Sequence, residues 1–268
     1  MTGQGRRDGE GRIPRVARDG PRGRSVAFRK AFLRTFAVQG SWNYRTMLGT
    51  GFGFAILPIL RRVYRDDPAG LEAAILRHCE HFNAHPYLTG MAVGAVGRLE
   101  KEGETPEMIR RFKLALKGPL GSLGDRLVWA AWLPLSGVVG LTAAMLADAW
   151  WVGPAALLGF FNVGHLGLRF WAYRTGLREG RSLGSKLRES AVSRWASTLV
   201  RPTALGLGLL VGLILGNGVK EGLVPWPWLL PGALLFAVGL RLGDRAWKPS
   251  AVTFVLVLIV VLAYGAAA

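Results

Sequence analysis

The sequence has few of the residues that carry disulfide, metal and hydrolytic chemistry. Cys79 is its one cysteine, which excludes a disulfide framework and a thiolate metal centre. The chain has four histidines, far fewer than membrane di-iron desaturases need. It also lacks a GxSxG elbow and a Ser-His-Asp set, and its "GPLGSLGD" stretch (118–125) lacks the Lys-Ser/Thr ending of a phosphate loop. The sequence therefore gives no support to hydrolytic chemistry.

Acidic residues are scarce as well, with 17 Asp and Glu against 34 Lys and Arg in 268 residues. A basic excess can indicate nucleic-acid binding, but here the basic residues are spread between apolar runs rather than gathered on one domain. Half of the chain, 50%, is hydrophobic. Apolar segments joined by basic loops are typical of a polytopic inner-membrane protein. We therefore expect an all-α integral membrane protein that does not bind nucleic acid.

The N-terminal stretch has a composition of its own. Residues 1–24 are dense in Gly and Arg and show no hydrophobic periodicity, which predicts a disordered cytosolic tail that can rest on anionic lipid. No apolar run follows this charged start, so we do not expect a signal peptide. Residues 25–268 are expected to form one membrane domain, with an amphipathic and re-entrant part at 25–125 and a transmembrane part at 126–268.

The C-terminal half predicts about five transmembrane helices, since crossing a bilayer takes ~20 apolar residues. The loop 169–201 is rich in Lys and Arg against Glu179 and Glu189, which places it in the cytoplasm, and the basic stretch 241–248 belongs on the same side. The short turn at Asp148 then faces outward, as does the C-terminus. The predicted spans are 127–147, 151–170, 202–218, 226–240 and 251–268.

The N-terminal half has two kinds of apolar segment. Residues 70–84 and 104–117 each place apolar residues on one helical stripe, which predicts amphipathic helices at the membrane surface or against a partner. The runs 47–60 and 86–99 are too short to span alone and contain glycine or proline, so they are candidate re-entrant hairpins. The two predicted stripes consist of Leu71, Ile75, Cys79 and Phe82, and of Met108, Phe112 and Leu116.

The polar stretch "QGSWN" (39–43) interrupts the first apolar segment. Gln39, Ser41 and Asn43 supply neutral donors and acceptors, and Trp42 offers a flat apolar face. Sugar sites use this combination, because hydroxyls need amide and hydroxyl partners while the C–H face of a sugar stacks on an aromatic ring. An interfacial tryptophan beside polar residues that cap a helix explains the same residues.

The histidines at 78, 81 and 85 are spaced so that a continuous helix would put them on one face, with Glu80 close by. Three imidazoles can hold zinc or iron. Pro86, however, ends a helix next to His85, so a polar face on a surface helix is the better interpretation. We assign no metal ligands and no cofactor to the chain.

Glycines in the "KGPLGSLGDR" stretch (117–126) predict a tight re-entrant turn that brings Asp125 to the foot of the first span. A carboxylate at that position can pair with Arg126 or Lys117, or it can gate a pathway.

Four stretches, taken in order, resemble the IID component of the mannose/fructose/sorbose family of the bacterial sugar phosphotransferase system (PTS). They match the family in order and spacing over about 30–180, while the C-terminal third agrees only in its hydrophobic character. The stretches are "FLRTFAVQGSWNYRTMLGTGFGFAILPILRRVY" (32–64), "ILRHCEHFNAHPYL" (75–88), "GPLGSLGD" (118–125) and "FFNVGHLGLRFWAYRTGLREG" (160–180).

The resemblance implies a multi-pass inner-membrane subunit that pairs with a IIC subunit to form a hexose pathway, assembled as a trimer of IIC–IID pairs. IIA and IIB, supplied with phosphate from phosphoenolpyruvate through HPr, phosphorylate the sugar as it enters. The chain is then not an enzyme by itself, because the phosphorylated histidines belong to IIA and IIB. A regulatory scaffold that binds IIB or HPr without transport, and a membrane metalloenzyme, are the alternative functions.

The resemblance also implies site residues. Its polar stretch lies by the sugar, which assigns substrate binding to Gln39, Trp42 and Asn43. Candidate pathway or gating residues are Ser41, Asn83, Asp125, Asn162 and Arg169. Two positions depart from the family: Arg126 stands where Pro or a small residue is common, and His165 replaces a common basic residue.

Overall fold

The computed structural model describes residues 21–222 except 148, 190, 191, 193, 194, 196 and 197. Within these residues the secondary structure is helical, and isolated backbone bridges join Met47 to Asn43 and to Phe82. The chain divides into two compact units, Met1–Leu207 and Gly208–Ala268. The candidate site lies in the first unit.

The helices follow one another with short connections. A 3₁₀ turn (Thr35–Ala37) follows α1, a π-helical segment (Asp125–Trp132) joins α5 to α6, and a second 3₁₀ turn (Gly180–Ser182) follows α7. The α-helices are α1 Pro21–Arg34, α2 Gly49–Val63, α3 Pro68–Cys79, α4 Thr89–Glu102, α5 Pro106–Gly124, α6 Leu133–Leu146, α7 Val152–Glu179, α8 Leu183–Glu189 and α9 Val200–Lys220.

Local chemistry explains several helix ends. The Asp67 side chain accepts a hydrogen bond from Gly70 N at 2.9 Å and caps α3, whose first residue is a proline. Thr105 caps α5 by accepting from Met108 N at 3.3 Å. Side-chain oxygens at these positions satisfy amides that have no partner within the helix. Gly103 ends α4 in the left-handed conformation with φ 77°, which glycine adopts at little cost.

The two short apolar runs form one uninterrupted helix each, so the prediction of re-entrant hairpins at 47–60 and 86–99 is wrong. The first run forms most of α2 and the second most of α4, and both helices are largely buried. Pro58 lies inside α2 and leaves the Phe54 carbonyl without its helical donor. Arg34 Nη1 donates to that carbonyl at 3.3 Å, which explains how the helix continues through the proline.

In α2, glycine allows close contact with another backbone segment and does not break the helix. A Cβ atom at Gly51 would lie 1.8 Å from the carbonyl oxygen of Val38, in the loop that precedes the helix. Such a distance is far inside van der Waals contact, so only glycine lets this loop lie on α2.

Small residues also bring α4 and α7 together. A Cβ at Gly176 would lie 2.0 Å from Met91 O, and one at Gly94 would lie 2.6 Å from Tyr173 O. Close helix approach through glycine is a common means of packing in membrane proteins, where lipid removes most of the hydrophobic drive between helices.

The predicted re-entrant turn at 117–126 is also wrong. α5 runs through Pro119 to Gly124, and the π-helical segment and α6 continue it to Leu146. Gly118 and Gly121 have open space where a Cβ would lie, so they sit on the helix surface without a turn. Asp125 is therefore an exposed residue at the start of the π-helical segment.

The apolar stripes of α3 and α5 differ in detail from the prediction. α3 ends at Cys79, so Phe82 is buried in the connection that follows rather than on the helix. In α5 Met108 is exposed, while Ile109 and Leu116 are buried. The core-facing side of α5 thus includes Ile109 in place of the predicted Met108.

One continuous helical stretch in the described part, Pro106–Leu146, is long and apolar enough to cross a membrane, and it contains most of the predicted span 127–147. Apart from its first residue, the span 151–170 falls within α7, and α9 contains the shorter apolar run Thr203–Gly216. The predicted spans 226–240 and 251–268 lie outside the described residues. So do residues 1–20 of the predicted tail, whose last four residues belong to α1.

Candidate functional site

The loop 38–48, which contains "QGSWN", is built around Asn43. Its Oδ1 accepts from the backbone amides of Arg45 at 3.0 Å and Thr46 at 2.9 Å. Its Nδ2 donates to Ser41 O at 3.1 Å and to Thr46 Oγ1 at 2.8 Å. All four hydrogen-bonding positions of the amide are used inside the loop. Asn43 therefore holds the loop's shape in this conformation.

The other polar residues of the loop are more accessible. Gln39 and Ser41 are exposed, and Ser41 Oγ lies 2.9 Å from Thr50 Oγ1. Trp42 is 47% exposed and meets the ring of Tyr44 edge-on, with centroids 4.8 Å apart. Trp42 and Gln39 thus present an exposed ring and an exposed amide in one loop, and sugar sites use both kinds of group.

Five rings form what we call the aromatic–histidine cluster: His85, Tyr87, Trp129, Phe161 and His165. The Tyr87 and His165 rings are closest, with centroids 4.1 Å apart. The ring of His85 lies 5.0 Å from that of Tyr87 and 5.1 Å from that of Trp129. Phe161 and His165 stack at 5.8 Å. The cluster joins the connection between α3 and α4, the π-helical segment and α7.

Three of the four stretches singled out in the sequence meet at this cluster. His85 comes from "HCEHFNAHP", and Phe161 and His165 come from "FFNVGHLGLR". Gly124, from "GPLGSLGD", lies so close that a Cβ on it would be 2.1 Å from the Cβ of His85. The fourth stretch approaches through Phe36, three residues before Gln39, whose ring centroid is 6.5 Å from that of His165.

Arg169 connects the cluster with the start of the loop. Its guanidinium lies over the rings of Phe36 at 4.8 Å and Tyr87 at 4.7 Å. Its Nη1 donates to Thr35 O at 3.0 Å, and its Nε donates to His165 Nε2 at 2.7 Å. The residue is 5% exposed, so this candidate pathway residue is packed between rings.

The remaining candidate pathway residues, Asn83, Asp125 and Asn162, belong to three different segments: the connection between α3 and α4, the π-helical segment and α7. Asn83 and Asp125 are exposed, and Asn162 donates to Leu158 O at 2.8 Å within α7. The two partners predicted for Asp125 have other contacts. Arg126 Nε donates to Ser122 O at 3.3 Å, and Lys117 Nζ lies 3.1 Å from His81 Nδ1.

The three histidines predicted to share a helix face lie in three different environments. Because α3 ends at Cys79, the chain is not helical at His81 and His85. His78 is fully buried, His81 is exposed and His85 belongs to the aromatic–histidine cluster. Across the described ranges, no group of three or more His, Cys, Asp or Glu side chains is arranged to hold a metal ion.

A buried polar network, which the sequence did not reveal, joins α2, α3 and α4. Glu100 Oε1 accepts from Arg77 Nη2 and lies next to His78 Nε2, both at 2.7 Å. Tyr64 donates its hydroxyl to Glu100 Oε2 at 2.7 Å. Lys113 adds α5 by donating to Arg77 O at 3.0 Å, at the C-terminal end of α3. The only hint in the sequence was a glutamate at the end of an apolar run.

The protonation states in this network follow from burial and hydrogen bonding. Burial alone would raise the pKa of Glu100, but the hydrogen bonds from His78 and Arg77 outweigh it and lower this pKa to about 2. Burial lowers the pKa of His78 to about 4, so the imidazole is neutral at pH 7 and donates through Nε2. Burial, together with the Glu100 charge, raises the pKa of Tyr64 to about 12. The network thus pairs the Glu100 carboxylate with the Arg77 guanidinium.

These features define a class, a helical membrane-type protein whose helices pack through glycine and around a buried charged network. The comparison with known families is specific. Residues 24–220 match the model of the PTS system mannose/fructose/sorbose family IID component, and the chain belongs to this family.

Characterised relatives carry the same designation. The chain is 32% identical over 157 residues to the PTS system mannose-specific EIID component of Escherichia coli strain K12, an alignment covering 57% of this chain and 55% of the relative. It is 28% identical over 161 residues to the sorbose-specific EIID component of Klebsiella pneumoniae, with 58% of each chain covered. It is 25% identical over 188 residues to the fructose permease IID component of Bacillus subtilis, covering 68% of this chain and 66% of the relative. The match to the first of these spans about half of that relative's length.

Solved structures share the fold. A chain in the cryoEM structure of the mannose transporter ManYZ with microcin E492 aligns with a TM-score of 0.55 at 24% identity, covering 90% of this chain and 96% of that one. A second structure, described as a membrane protein, aligns with a TM-score of 0.67 at 23% identity and the same coverage.

Proposed function

We propose that the chain is the membrane IID subunit of a mannose-type, phosphoenolpyruvate-dependent sugar phosphotransferase system. It forms the sugar pathway with a IIC subunit, and IIB phosphorylates the sugar on the cytoplasmic side. Family membership over residues 24–220 is the observation that carries this proposal. The relatives are named for mannose, sorbose and fructose, which supports a hexose as substrate.

The proposed assembly is a multi-pass subunit of the bacterial inner membrane in a trimer of IIC–IID pairs. The transmembrane part, 126–268, contains about five spans, and the amphipathic helices of the 25–125 part meet IIC or IIB. IIA and HPr act indirectly through IIB. In this arrangement the chain contacts lipid, carries no phosphoryl group and needs no cofactor.

In the proposed site, Gln39 and Trp42 face the sugar, while Asn43 keeps the loop in shape. The exposed ring of Trp42 supports stacking on the sugar, and Gln39 supplies an amide for a hydroxyl. Transport follows alternating access, in which a rigid unit that includes this loop carries the sugar to the cytoplasmic face.

Reconstitution tests the proposal. The chain is co-expressed with the IIC, IIB and IIA proteins of a mannose-family system in a host that lacks its own mannose-type system. Uptake and phosphorylation of labelled mannose, fructose and sorbose are then measured. We expect uptake of at least one hexose as its phosphate. A chain that binds IIB or HPr but supports no uptake of any of them would instead indicate the regulatory scaffold.

A substitution in the loop tests the site. Trp42→Ala removes the stacking face and is expected to lower uptake by about tenfold or more, while the complex with IIC still forms. Trp150→Ala is the matched control, because Trp150 is also exposed but lies in the turn between α6 and α7. Equal uptake by the two variants would remove Trp42 from the site.

A further inference from the structure

We infer that Arg169 is a positioning residue that fixes the N-terminal half of the "QGSWN" loop. Asn162 and His165 on the same helix hold Arg169 in place, so that the three polar residues act as one relay. The consequence of this inference for transport rests on the proposed function, whereas the claim that Arg169 fixes the loop does not. Arg169 is buried and packed between two rings, so it acts on a sugar through the loop and not by contact.

The relay consists of Asn162, His165 and Arg169, which lie on one face of α7 at i, i+3 and i+7. Arg169 can only donate, so His165 Nε2 must accept its Nε–H at 2.7 Å. The imidazole proton therefore sits on Nδ1, which faces Asn162 Oδ1 at 3.4 Å. Asn162 Nδ2 donates to Leu158 O at 2.8 Å, which turns its oxygen towards the histidine. These contacts together determine which group donates and which accepts in each hydrogen bond of the relay.

The relay ends on the backbone just before the loop. Arg169 Nη1 donates to Thr35 O, and the same carbonyl accepts from Val38 N at 3.4 Å in the 3₁₀ turn. Thr35 is itself 1% exposed. A guanidinium on a carbonyl at the end of a helix stabilises that end through charge as well as through hydrogen bonding.

Two aromatic rings hold the guanidinium in one plane. Phe36 belongs to the 3₁₀ turn, and Tyr87 belongs to the connection between α3 and α4. Arginine stacks between rings and donates in its plane at the same time, which lysine does not do. Arg169 therefore joins α7 to two segments that are far apart in the sequence, and Phe36 is only three residues from Gln39.

The two halves of the loop share Asn43 but have different further anchors, which makes the inference testable. The C-terminal half is paired with the connection after α3, through Leu48 N to Phe82 O at 2.8 Å and Phe82 N to Thr46 O at 3.2 Å. The N-terminal half is held by turn hydrogen bonds such as Gly40 N to Ala37 O at 3.0 Å, by Thr50 Oγ1, which donates to Ser41 O at 3.0 Å, and by the Arg169 contact just before the loop. Loss of Arg169 should loosen the first half and leave the second unchanged.

Hydrogen–deuterium exchange with mass spectrometry measures this difference in the full chain, co-purified with IIC. The variants are Arg169→Lys and Arg169→Gln, with Arg174→Gln as control because Arg174 is exposed on the same helix. In Arg169→Gln we expect amides 38–42 to exchange about tenfold faster while amides 46–49 keep their wild-type rate. Arg169→Lys should give a smaller increase in the same amides, and Arg174→Gln none.

Other exchange patterns would overturn the inference. Unchanged exchange at 38–42 in Arg169→Gln would show that the contact does not hold the loop. Faster exchange throughout α2, α4 and α7 in both Arg169 variants would show a general role in folding instead. Exchange is measured without sugar, so its outcome does not depend on whether the chain transports.

Uptake kinetics then connect the loop with the sugar. With the loop loosened but Gln39 and Trp42 intact, Arg169→Lys is expected to raise the apparent KM several-fold with little change in maximal rate. A fall in maximal rate at constant KM would contradict the positioning role. Absence of uptake in wild-type and variants alike would remove the proposed function but leave the exchange result standing.

Discussion

Among single residues, Glu100 shows most clearly how a charge is kept inside this fold. It is 1% exposed and accepts from Arg77, His78 and Tyr64. Removing one partner of such a buried group costs more than the pair contributes, because the remaining charge stays out of water. His78 Nδ1 and Arg77 Nε are buried without a hydrogen-bond partner in the protein. The network therefore satisfies most of its buried polar atoms but not these two.

Replacing Glu100 tests this interpretation. Glu100→Gln removes the carboxylate and leaves the Arg77 guanidinium buried, so we expect a loss of about 3–5 kcal/mol in the free energy of unfolding. Glu102→Gln is the matched control, since Glu102 pairs with Arg98 at 2.6 Å on the surface, where such a pair contributes about 1 kcal/mol or less. Denaturant unfolding in a lipid-like detergent measures both. Similar losses in the two variants would contradict the buried network.

His78 makes stability depend on pH in a defined direction. Burial lowers its pKa to about 4 in the folded chain, against about 6.5 when unfolded. The unfolded chain therefore binds a proton first on acidification, and the contribution of His78 to stability is full above pH ~6.5 and lost towards pH ~4. The lowered pKa of Glu100 acts in the same sense at lower pH, between about 4.3 and about 2.

A variant that cannot titrate separates the two groups. His78→Gln keeps an N–H donor for Glu100, so we expect its Tm to fall less than the wild-type Tm between about pH 7 and about pH 5. Arg77 and Lys113 stay protonated over this range, and Tyr64 stays neutral. Differential scanning fluorimetry at several pH values provides the measurement. Parallel Tm curves for wild-type and variant would show that His78 is not the titrating group.

Among the helices, glycine decides which pairs come close. The glycines of the run 47–60 contributed to the prediction of a re-entrant hairpin, whereas residues 49–53 begin α2 and Val38 O lies on Gly51. A local pattern cannot distinguish a glycine in a turn from a glycine in close contact with another segment. Both positions require a residue without a side chain, and only the contacting partner differs. The same holds for Gly124, whose partner His85 comes from another connection.

The contact between α4 and α7 offers a test on one helix. Gly176→Ala would place a methyl group 2.0 Å from the Met91 carbonyl oxygen, so the helices must separate. We expect a loss of about 2 kcal/mol or more in the free energy of unfolding. Gly167→Ala, on the same helix with open space at its Cβ, should be neutral or slightly stabilising because alanine favours helix. Equal effects would show that helix propensity and not close packing dominates.

At the scale of the whole molecule, the order of the four stretches predicted more than their individual interpretations. The family was predicted correctly from that order, and the helical class from the apolar segments. The convergence of His85, Phe161 and His165 was not predicted, since it depends on how distant helices pack. Asn43 shows the same limit, because its side chain turns out to serve the loop's own backbone. Composition identifies chemical groups, but their partners depend on tertiary contacts.

The orientation of α6 and α7 in the membrane is a prediction that rests on loop charge alone. α7 has 28 residues and a length of about 42 Å, more than the ~30 Å apolar core of a bilayer, so its C-terminal turns with Arg174 and Arg178 can reach the basic loop beyond it. Because the positive-inside rule keeps basic loops in the cytoplasm, we expect Ser185 inside and the turn at Trp150 outside.

Cysteine labelling measures these positions directly. In a Cys79→Ala background, Trp150→Cys is expected to react with a membrane-impermeant maleimide in intact cells with a permeable outer layer. Ser185→Cys should react only in inverted vesicles, because its basic surroundings keep it in the cytoplasm. Both positions are exposed in the fold, so access depends on the membrane side and not on burial. Labelling of both from the same side would contradict α7 as a span and leave Pro106–Leu146 as the crossing helix of the described part.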